Sequence, residues 1–306
     1  MIIFDTDMGV DDGLALACLL NIPVNREILI STIYGNTNVD QATANAEYFT
    51  KIIKKNIPIY KGASKPLLKD RIDALNIHGD DGMGGTIGIH KPATKFTFKD
   101  IVNHIQLMPK ASVDIIGIGP ATNIAKILSS DAADSINTIT LMSGAVFDKG
   151  NVTENAEFNA YSDPEALIQV LSSGKTITIV PLDVCRKIQL NERNLSLMKS
   201  FGNLSKTLID SHKFYMKQYL QWEHLHGCFP HDSISVLAAL YPNIFYSLKM
   251  SISVGITGDE RGQFFAQQDK SSNISVITGG HLSWVRKFFD FEWVVLNKNQ
   301  KKKFFT

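Results

Sequence analysis

The chain opens with an apolar run, Ile2-Ile3-Phe4, turns polar from Asp5 to Asp12, and is then apolar on every side over residues 14–20. The first run predicts a short buried strand and the second a buried helix. The alternation recurs. Residues 27–34 predict a strand ending at Gly35-Asn36. A helix should start after it near Asn38 or Asp40, with Ala42, Ala46, Phe49 and Ile53 on one face. Further strands are expected over 112–117, 138–142 and 176–180, with helices around 98–108, 121–128 and 164–171. Apolar strands separated by helices imply an α/β fold: a mostly parallel central sheet, Rossmann-like, with helices on both faces. Ligands of such sheets bind outside the carboxyl ends of the strands, so polar residues that follow strands should converge on one rim.

Two stretches break the rhythm. Residues 64–93 are rich in Gly, Asp and Pro and include His78-Gly79-Asp80-Asp81-Gly82-Met83-Gly84-Gly85, which predicts a flexible loop of the kind often used as a lid. Near the carboxyl end, Leu248, Met250, Ile252, Val254 and Ile256 alternate with Lys249, Ser251, Ser253 and Gly255. With the turn over 258–262 and Phe264-Phe265, they predict a small antiparallel hairpin. No repeat or linker interrupts the chain, so the expectation is one domain over 1–306 with a hairpin appendage.

Composition removes whole classes of function. Lys plus Arg number 31 against 30 for Asp plus Glu, which leaves no basic footprint for nucleic acid. Lys301-Lys302-Lys303 reads as a solvated tail rather than a membrane anchor. No apolar run approaches the roughly 20 residues of a membrane span. The first strand begins at residue 2 without a leader, so the cytoplasm is the expected location. Cys18, Cys185 and Cys228 are odd in number, lack metal-site spacing and read as core thiols in a reducing compartment.

The densest chemistry is Asp5-Thr6-Asp7-Met8-Gly9-Val10-Asp11-Asp12, on the first strand-to-helix turn. A helix amino end favours negative charge but does not balance four carboxylates. Crowded acids raise one another's pKa unless a cation neutralises them, and hard oxygen donors at this density suit Ca²⁺ or Mg²⁺. The plainer reading is a helix cap at Asp11 or Asp12, which accounts for one acid and not four. Other polar clusters follow the later strands: Gly35-Asn36, Gly119-Pro120-Ala121-Thr122-Asn123, and 151–159. His231-Asp232 opens an apolar helix over 233–240. Singly, each reads as a turn or a cap. Jointly they face the acidic turn.

With these residues in view, the chain resembles the inosine–uridine-preferring nucleoside hydrolases. Asp-Thr-Asp-x-Gly-x-Asp-Asp at the amino end carries the likeness. His78-Gly79-Asp80-Asp81-Gly82, Pro120-Ala121-Thr122-Asn123, Ala156-Glu157-Phe158-Asn159, Asp163-Pro164-Glu165-Ala166 and His231-Asp232 recur in that family's order over residues 1 to about 240. Met8 stands where the family usually has proline, Gly13 where it often has alanine, and Ser233 where proline commonly follows. Met8 is expected to loosen the turn, since proline would fix φ.

The resemblance implies hydrolysis of the ribonucleoside N-glycosidic bond through an oxocarbenium-like transition state. It implies Ca²⁺ held by Asp7, Asp12, Asp232 and the Thr122 carbonyl, with Asp7 as general base. It implies ribose hydroxyls held by Asp11, Asn36, Asn151, Glu157 and Asn159, His231 as leaving-group acid or hydrogen-bond donor, and His78 against the base. A homodimer or homotetramer is implied as well. Tyr219, Trp222, His224 and His226 are left outside the site, because aromatic residues at helical spacing are more often core.

A haloacid dehalogenase-type phosphatase also begins strand-Asp-x-Asp. That class normally has Thr or Val where Gly9 stands, and it does not account for Glu157–Asn159 or His231-Asp232. An EF-hand is excluded by Val10 at its glycine position and Leu16 at its glutamate position. A non-catalytic, Ca²⁺-dependent nucleoside binder would not need Asp7 as a base.

Overall fold

Alternate residues of the first strand face opposite layers. Ile2 and Phe4 pack with Ile30, Ile116, Met142 and Val180 into one hydrophobic core, and Ile3 packs with Leu29, Ile115, Ile139 and Ile177 into the other. Both faces of these strands are therefore buried, as their continuous apolar sequence requires. Each such side chain contributes roughly 1.5–3 kcal/mol by leaving water.

The computed structural model describes residues 1–305. Its strands are β1 (Ile2–Thr6), β2 (Ile28–Thr32), β3 (Ile59–Lys61), β4 (Val113–Gly117), β5 (Ile136–Met142), β6 (Thr176–Val180), β7 (Phe245–Val254), β8 (Phe264–Gln268) and β9 (Ile274–Gly280). They form one sheet in the order β3-β2-β1-β4-β5-β6-β9-β7-β8. Pairing is parallel from β3 through to β9, and β7 is antiparallel to both β9 and β8. The mostly parallel α/β sheet expected from the sequence is thus present. The hairpin is no appendage, however: β7 pairs with β9, which pairs with β6, so the hairpin is the far edge of the main sheet. β3 and β9 were not anticipated.

The order reverses at β1 and β4. The chain leaves β1 for β2 and β3 on one side, then crosses back to lay β4 on the other. Loops after β1 and β4 therefore part company there and leave a crevice at the carboxyl ends, where sheets of this kind bind ligands.

The Val10–Asn21 helix starts in that crevice and is buried along nearly its whole length. Gly9 is its N-cap, and Asp12 takes the Gly9 N–H at 2.9 Å. The Val39–Ile52 helix is capped by Asn38, whose side chain accepts from Gln41 N–H. No helix among the described residues is long and apolar enough to cross a membrane.

The glycine-rich stretch is more ordered than its composition suggests. Asp81 is buried, and its carboxylate accepts from the backbone N–H of Met83, Gly85, Ile87 and Gly88. The four donors converge on one anion, and positive φ at Gly79, Gly82, Gly84 and Gly85 lets the backbone wrap it.

Candidate active site

Of the four opening aspartates, Asp5 stands apart. It lies within β1 and accepts from Asn123 Nδ2 at 2.8 Å. Burial pushes its carboxyl up to about 6. The other three crowd the turn and are joined by Asp232 from the first turn of the His231–Leu240 helix. Asp11, Asp12 and Asp232 each offer an oxygen, and these atoms lie within 4.8 Å of one another.

Asp12 is the most heavily bonded. It accepts from Thr6 Oγ1 at 2.5 Å, from Met8 and Gly9 N–H at 3.1 and 2.9 Å, and from Asn36 Nδ2 at 2.9 Å. Asp7 accepts from Asn36 N–H at 2.7 Å through Oδ2, while its buried Oδ1 has no partner. Burial first, then the Asp12 charge, holds Asp7 well above the usual carboxylate range. Asp11 is raised by the same two causes. Burial and then the charges of Asp11, Asp12 and Asp7 raise Asp232. Such a nest is costly when ionised and uncompensated, and a divalent cation among hard oxygens removes the repulsion. The donor set and the open oxygen of Asp7 fit a metal of that class.

Above the acids lies a cavity of about 450 Å³. Its lining includes Asp11, Asn36, His78, Asn151, Glu157, Asn159, His231 and Asp232, so eight of the expected site residues reach one space. Asp7 and Asp12 are buried just behind it. Glu157 caps its helix, accepting from the N–H of Gly144, Asn159 and Ala160. Asn159 Nδ2 donates to the carbonyls of Ile118 and Met142, which ties the ends of β4 and β5 together. His78 accepts from Val10 N–H at 3.1 Å, and burial lowers its imidazole to about 3.

Thr122 is a correction. It opens the Thr122–Leu128 helix, its hydroxyl donates to Asp163 at 2.6 Å, and it does not line the cavity. The residue of that segment that does is Ile118, directly after β4. Met8 is another correction. Its φ of 45° is left-handed, its side chain is fully buried, and its N–H donates to Thr6 and Asp12. Proline lacks that donor and that φ, so Met8 ties this turn rather than loosening it.

Two aromatic residues set aside from the sequence, Tyr219 and Trp222, also belong here, joined by Tyr215, which the sequence reading did not single out. Tyr215, Tyr219 and Trp222 line the cavity, and Tyr219 OH lies 2.9 Å from His231 Nε2. His231 Nδ1 has no partner. The signal was the i, i+4 and i+7 spacing of the three rings on the Ser205–Glu223 helix. It is indistinguishable from core packing until the helix is seen beside His231. His224 and His226 do not line the cavity, and Cys228 is a buried thiol raised by burial.

The family model of the inosine-uridine preferring nucleoside hydrolases matches residues 2–287. The chain belongs to that family. It is 30% identical over 304 residues to the non-specific ribonucleoside hydrolase RihC of Salmonella paratyphi A, covering 95% of this chain and 97% of that one. It is 30% identical over 266 residues to uridine nucleosidase 1 of Arabidopsis thaliana, covering 84% and 79%. Among solved structures it is similar to the purine-preferring ribonucleoside hydrolase from Gardnerella vaginalis, with a TM-score of 0.85, 29% identity, and 94% and 96% coverage. This nucleoside hydrolase is accordingly an enzyme of N-glycosyl bonds.

The β7–β8 turn buttresses the segment carrying Glu157 and Asn159. Arg261 is buried there and donates to the carbonyls of Tyr161 at 2.9 Å and Ser162 at 3.1 Å, and Ala156 bridges Gln263. Arg261→Ala frees both carbonyls and lets the segment drift. It is expected to lower kcat/KM for a ribonucleoside about tenfold, since an ångström of misplacement is costly. Steady-state kinetics beside a melting curve checks this; unchanged kcat/KM in a folded variant would contradict it.

Proposed function

We propose that this nucleoside hydrolase cleaves the N-glycosidic bond of ribonucleosides to ribose and free base, with Asp7 as general base and Ca²⁺ as the resident metal. The observation that supports this most is the meeting of Asp11 and Asp12 with Asp232, whose carboxyl also feels the charge of Asp7, from two distant chain segments. They meet under a cavity whose other polar groups suit a sugar. Asp7, Asp12 and Asp232 would hold the cation, with the Ile118 carbonyl taking the place first given to Thr122. When bound, the metal supplies a grip on a ribose diol and polarises the nearby water.

The remaining chemistry belongs to the side chains. Water attacks C1′ as the bond to the base lengthens, and Asp7 takes the proton through Oδ1. Calcium acidifies water less than zinc does, so a base is still needed. Asp11, Asn36, Asn151, Glu157 and Asn159 accept from or donate to the ribose hydroxyls. Glu157, Asp11 and Asp232 place negative charge where the sugar becomes cationic, so the transition state gains more than the ground state.

At the other end of the bond, burial first, then the charges of Arg186 and His78, lowers the His231 imidazole to about 3. It is therefore neutral at pH 7. Its Nε2 pairs with Tyr219 OH, and in the tautomer where that nitrogen accepts, Nδ1 carries the proton and donates a hydrogen bond to the departing base.

A phosphatase reading finds no support in the lining, which has no lysine or arginine to hold a phosphate. The test is a panel of ribonucleosides assayed for free base with and without chelator. Chelation is expected to abolish turnover and added Ca²⁺ to restore it. The corresponding 2′-deoxyribonucleosides are expected to be slower by about 10³-fold or more, because hydroxyl acceptors are left unpaired. Binding without turnover would instead make the protein a nucleoside binder.

A further inference from the structure

The segment that follows β6 is bonded to two walls of the cavity at once. It begins with the short Leu182–Cys185 helix and runs on to Leu190. On one side, Asp183 accepts from the backbone N–H of Val146 at 3.0 Å and of Phe147 at 2.5 Å. Arg186 donates to the carbonyls of Lys149 at 2.5 Å and Gly150 at 3.1 Å, and its Nη1 lies 3.2 Å from Asp148. An acceptor and a donor three residues apart thus grip residues 146–150 from both ends. On the other side, Gln189 Nε2 donates to the His226 carbonyl at 2.7 Å, and Leu190 exchanges backbone hydrogen bonds with Cys228 at 2.8 and 3.0 Å. Cys185 Sγ lies 3.7 Å from the His231 carbonyl oxygen.

The gripped carbonyls lead straight into Asn151, which lines the cavity across from His231. Asn151 sits in a loop closed on itself. Gly150 N–H donates to the Glu154 carbonyl, Asn151 N–H donates to the Ala156 carbonyl, and Lys149 pairs with Glu154. Asn151 Oδ1 accepts from Phe158 N–H at 2.9 Å, which leaves its Nδ2 for a sugar hydroxyl. Such a loop is firm inside yet able to pivot, so its attachments decide where Asn151 stands. The Ala156–Gln263 bridge anchors one end and Arg186 the other. Resting on the reading of this cavity as a riboside site, we propose that Arg186 is a positioning residue for the reaction. It acts through Asn151, fixing how far the sugar-holding amide stands from His231 and therefore from the leaving base.

The two carbonyl bonds carry this role rather than the ion pair. Asp148 is 42% exposed, so solvent screens its attraction to the guanidinium. The arginine side chain is only 19% exposed, and its charged N–H groups make strong hydrogen bonds to carbonyl oxygens. A planar fork reaches two successive carbonyls at once, which a lysine ammonium does not match. Asn151 meets the sugar both before and during bond cleavage. Loss of its placement therefore acts on KM more than on kcat.

The test is a double-mutant cycle on the full chain loaded with Ca²⁺, with uridine and inosine as substrates and a melting curve for each variant. Arg186→Gln is expected to raise KM about tenfold while kcat changes less than about threefold. Arg186→Lys should recover part of that loss. Asn151→Ala should raise KM at least as much as Arg186→Gln does. The double variant should then be no worse than Asn151→Ala alone, because Arg186 has nothing left to position. Should Arg186→Gln fail to fold, Arg186→Lys carries the same cycle with a KM rise of about threefold. An unchanged KM in the folded Arg186 variant overturns the inference, and so do KM effects that multiply in the double variant. Turnover by wild type with no effect of Asn151→Ala overturns it too, and leaves the ribonucleoside reading standing. If wild type cleaves neither substrate, both readings fall.

Discussion

Asp7→Asn is expected to lower kcat by about 10²- to 10⁴-fold on any ribonucleoside the protein cleaves, the usual contribution of a positioned proton acceptor. The amide keeps the shape and still accepts from Asn36 N–H, but it has no basic oxygen where Oδ1 now stands free. Stability should move the other way. Asp7 is buried beside Asp12, so its charge opposes folding of the metal-free protein, and a neutral amide relieves that repulsion. The metal-free variant is therefore expected to melt at or above the wild-type temperature. An active site that opposes stability in this way is a familiar trade. Ribose release, melting curves and bound-metal analysis on one preparation check all three points. A variant with intact metal and more than a tenth of wild-type kcat would remove Asp7 as the base.

His231→Ala is expected to slow inosine or uridine by about 10²-fold or more, while an activated nitrophenyl riboside slows only a few-fold. The difference arises because nitrophenolate leaves without help, whereas a purine or pyrimidine anion needs a donor. The Tyr219 hydrogen bond supports the assignment, since it satisfies Nε2 and leaves Nδ1 for the base. Tyr219→Phe should show the same pattern more weakly, through loss of tautomer and ring orientation. Equal slowing of natural and activated substrates in His231→Ala would assign His231 to shape rather than to leaving-group chemistry.

Much of the fold was legible because its strands are buried on both faces. β1, β2, β4, β5 and β6 are runs of Ile, Leu, Val and Thr between helical segments, a pattern with few other solutions. β3 escaped because three residues carry no period. β9 escaped because the hairpin signal beside it suggested a separate unit. Only pairing of β9 with both β6 and β7 shows one sheet.

The chemistry divides along the same line. Which acids, amides and histidines belong together was readable from the motifs, and eight of them do line one cavity. What they touch was not. Asp5 looked like a member of the cluster, but strand alternation and Asn123 take it away. The resemblance implied the Thr122 carbonyl as a ligand, while the residue of that segment at the cavity wall is Ile118, and the Thr122 hydroxyl turns to Asp163. Met8 looked like a loosened proline, but its N–H and left-handed φ make it part of the turn.

The amino-acid order alone determined the layered sheet and the acidic turn at its carboxyl rim, because burial period and donor type are local properties, and its motifs carried the resemblance that implied the kind of bond attacked. Tertiary structure decided that Asp232 meets Asp12 across some 220 residues of chain and that Tyr219 orients His231. Those facts depend on where helices cross, and crossing is settled by packing of whole faces rather than by any short run of residues.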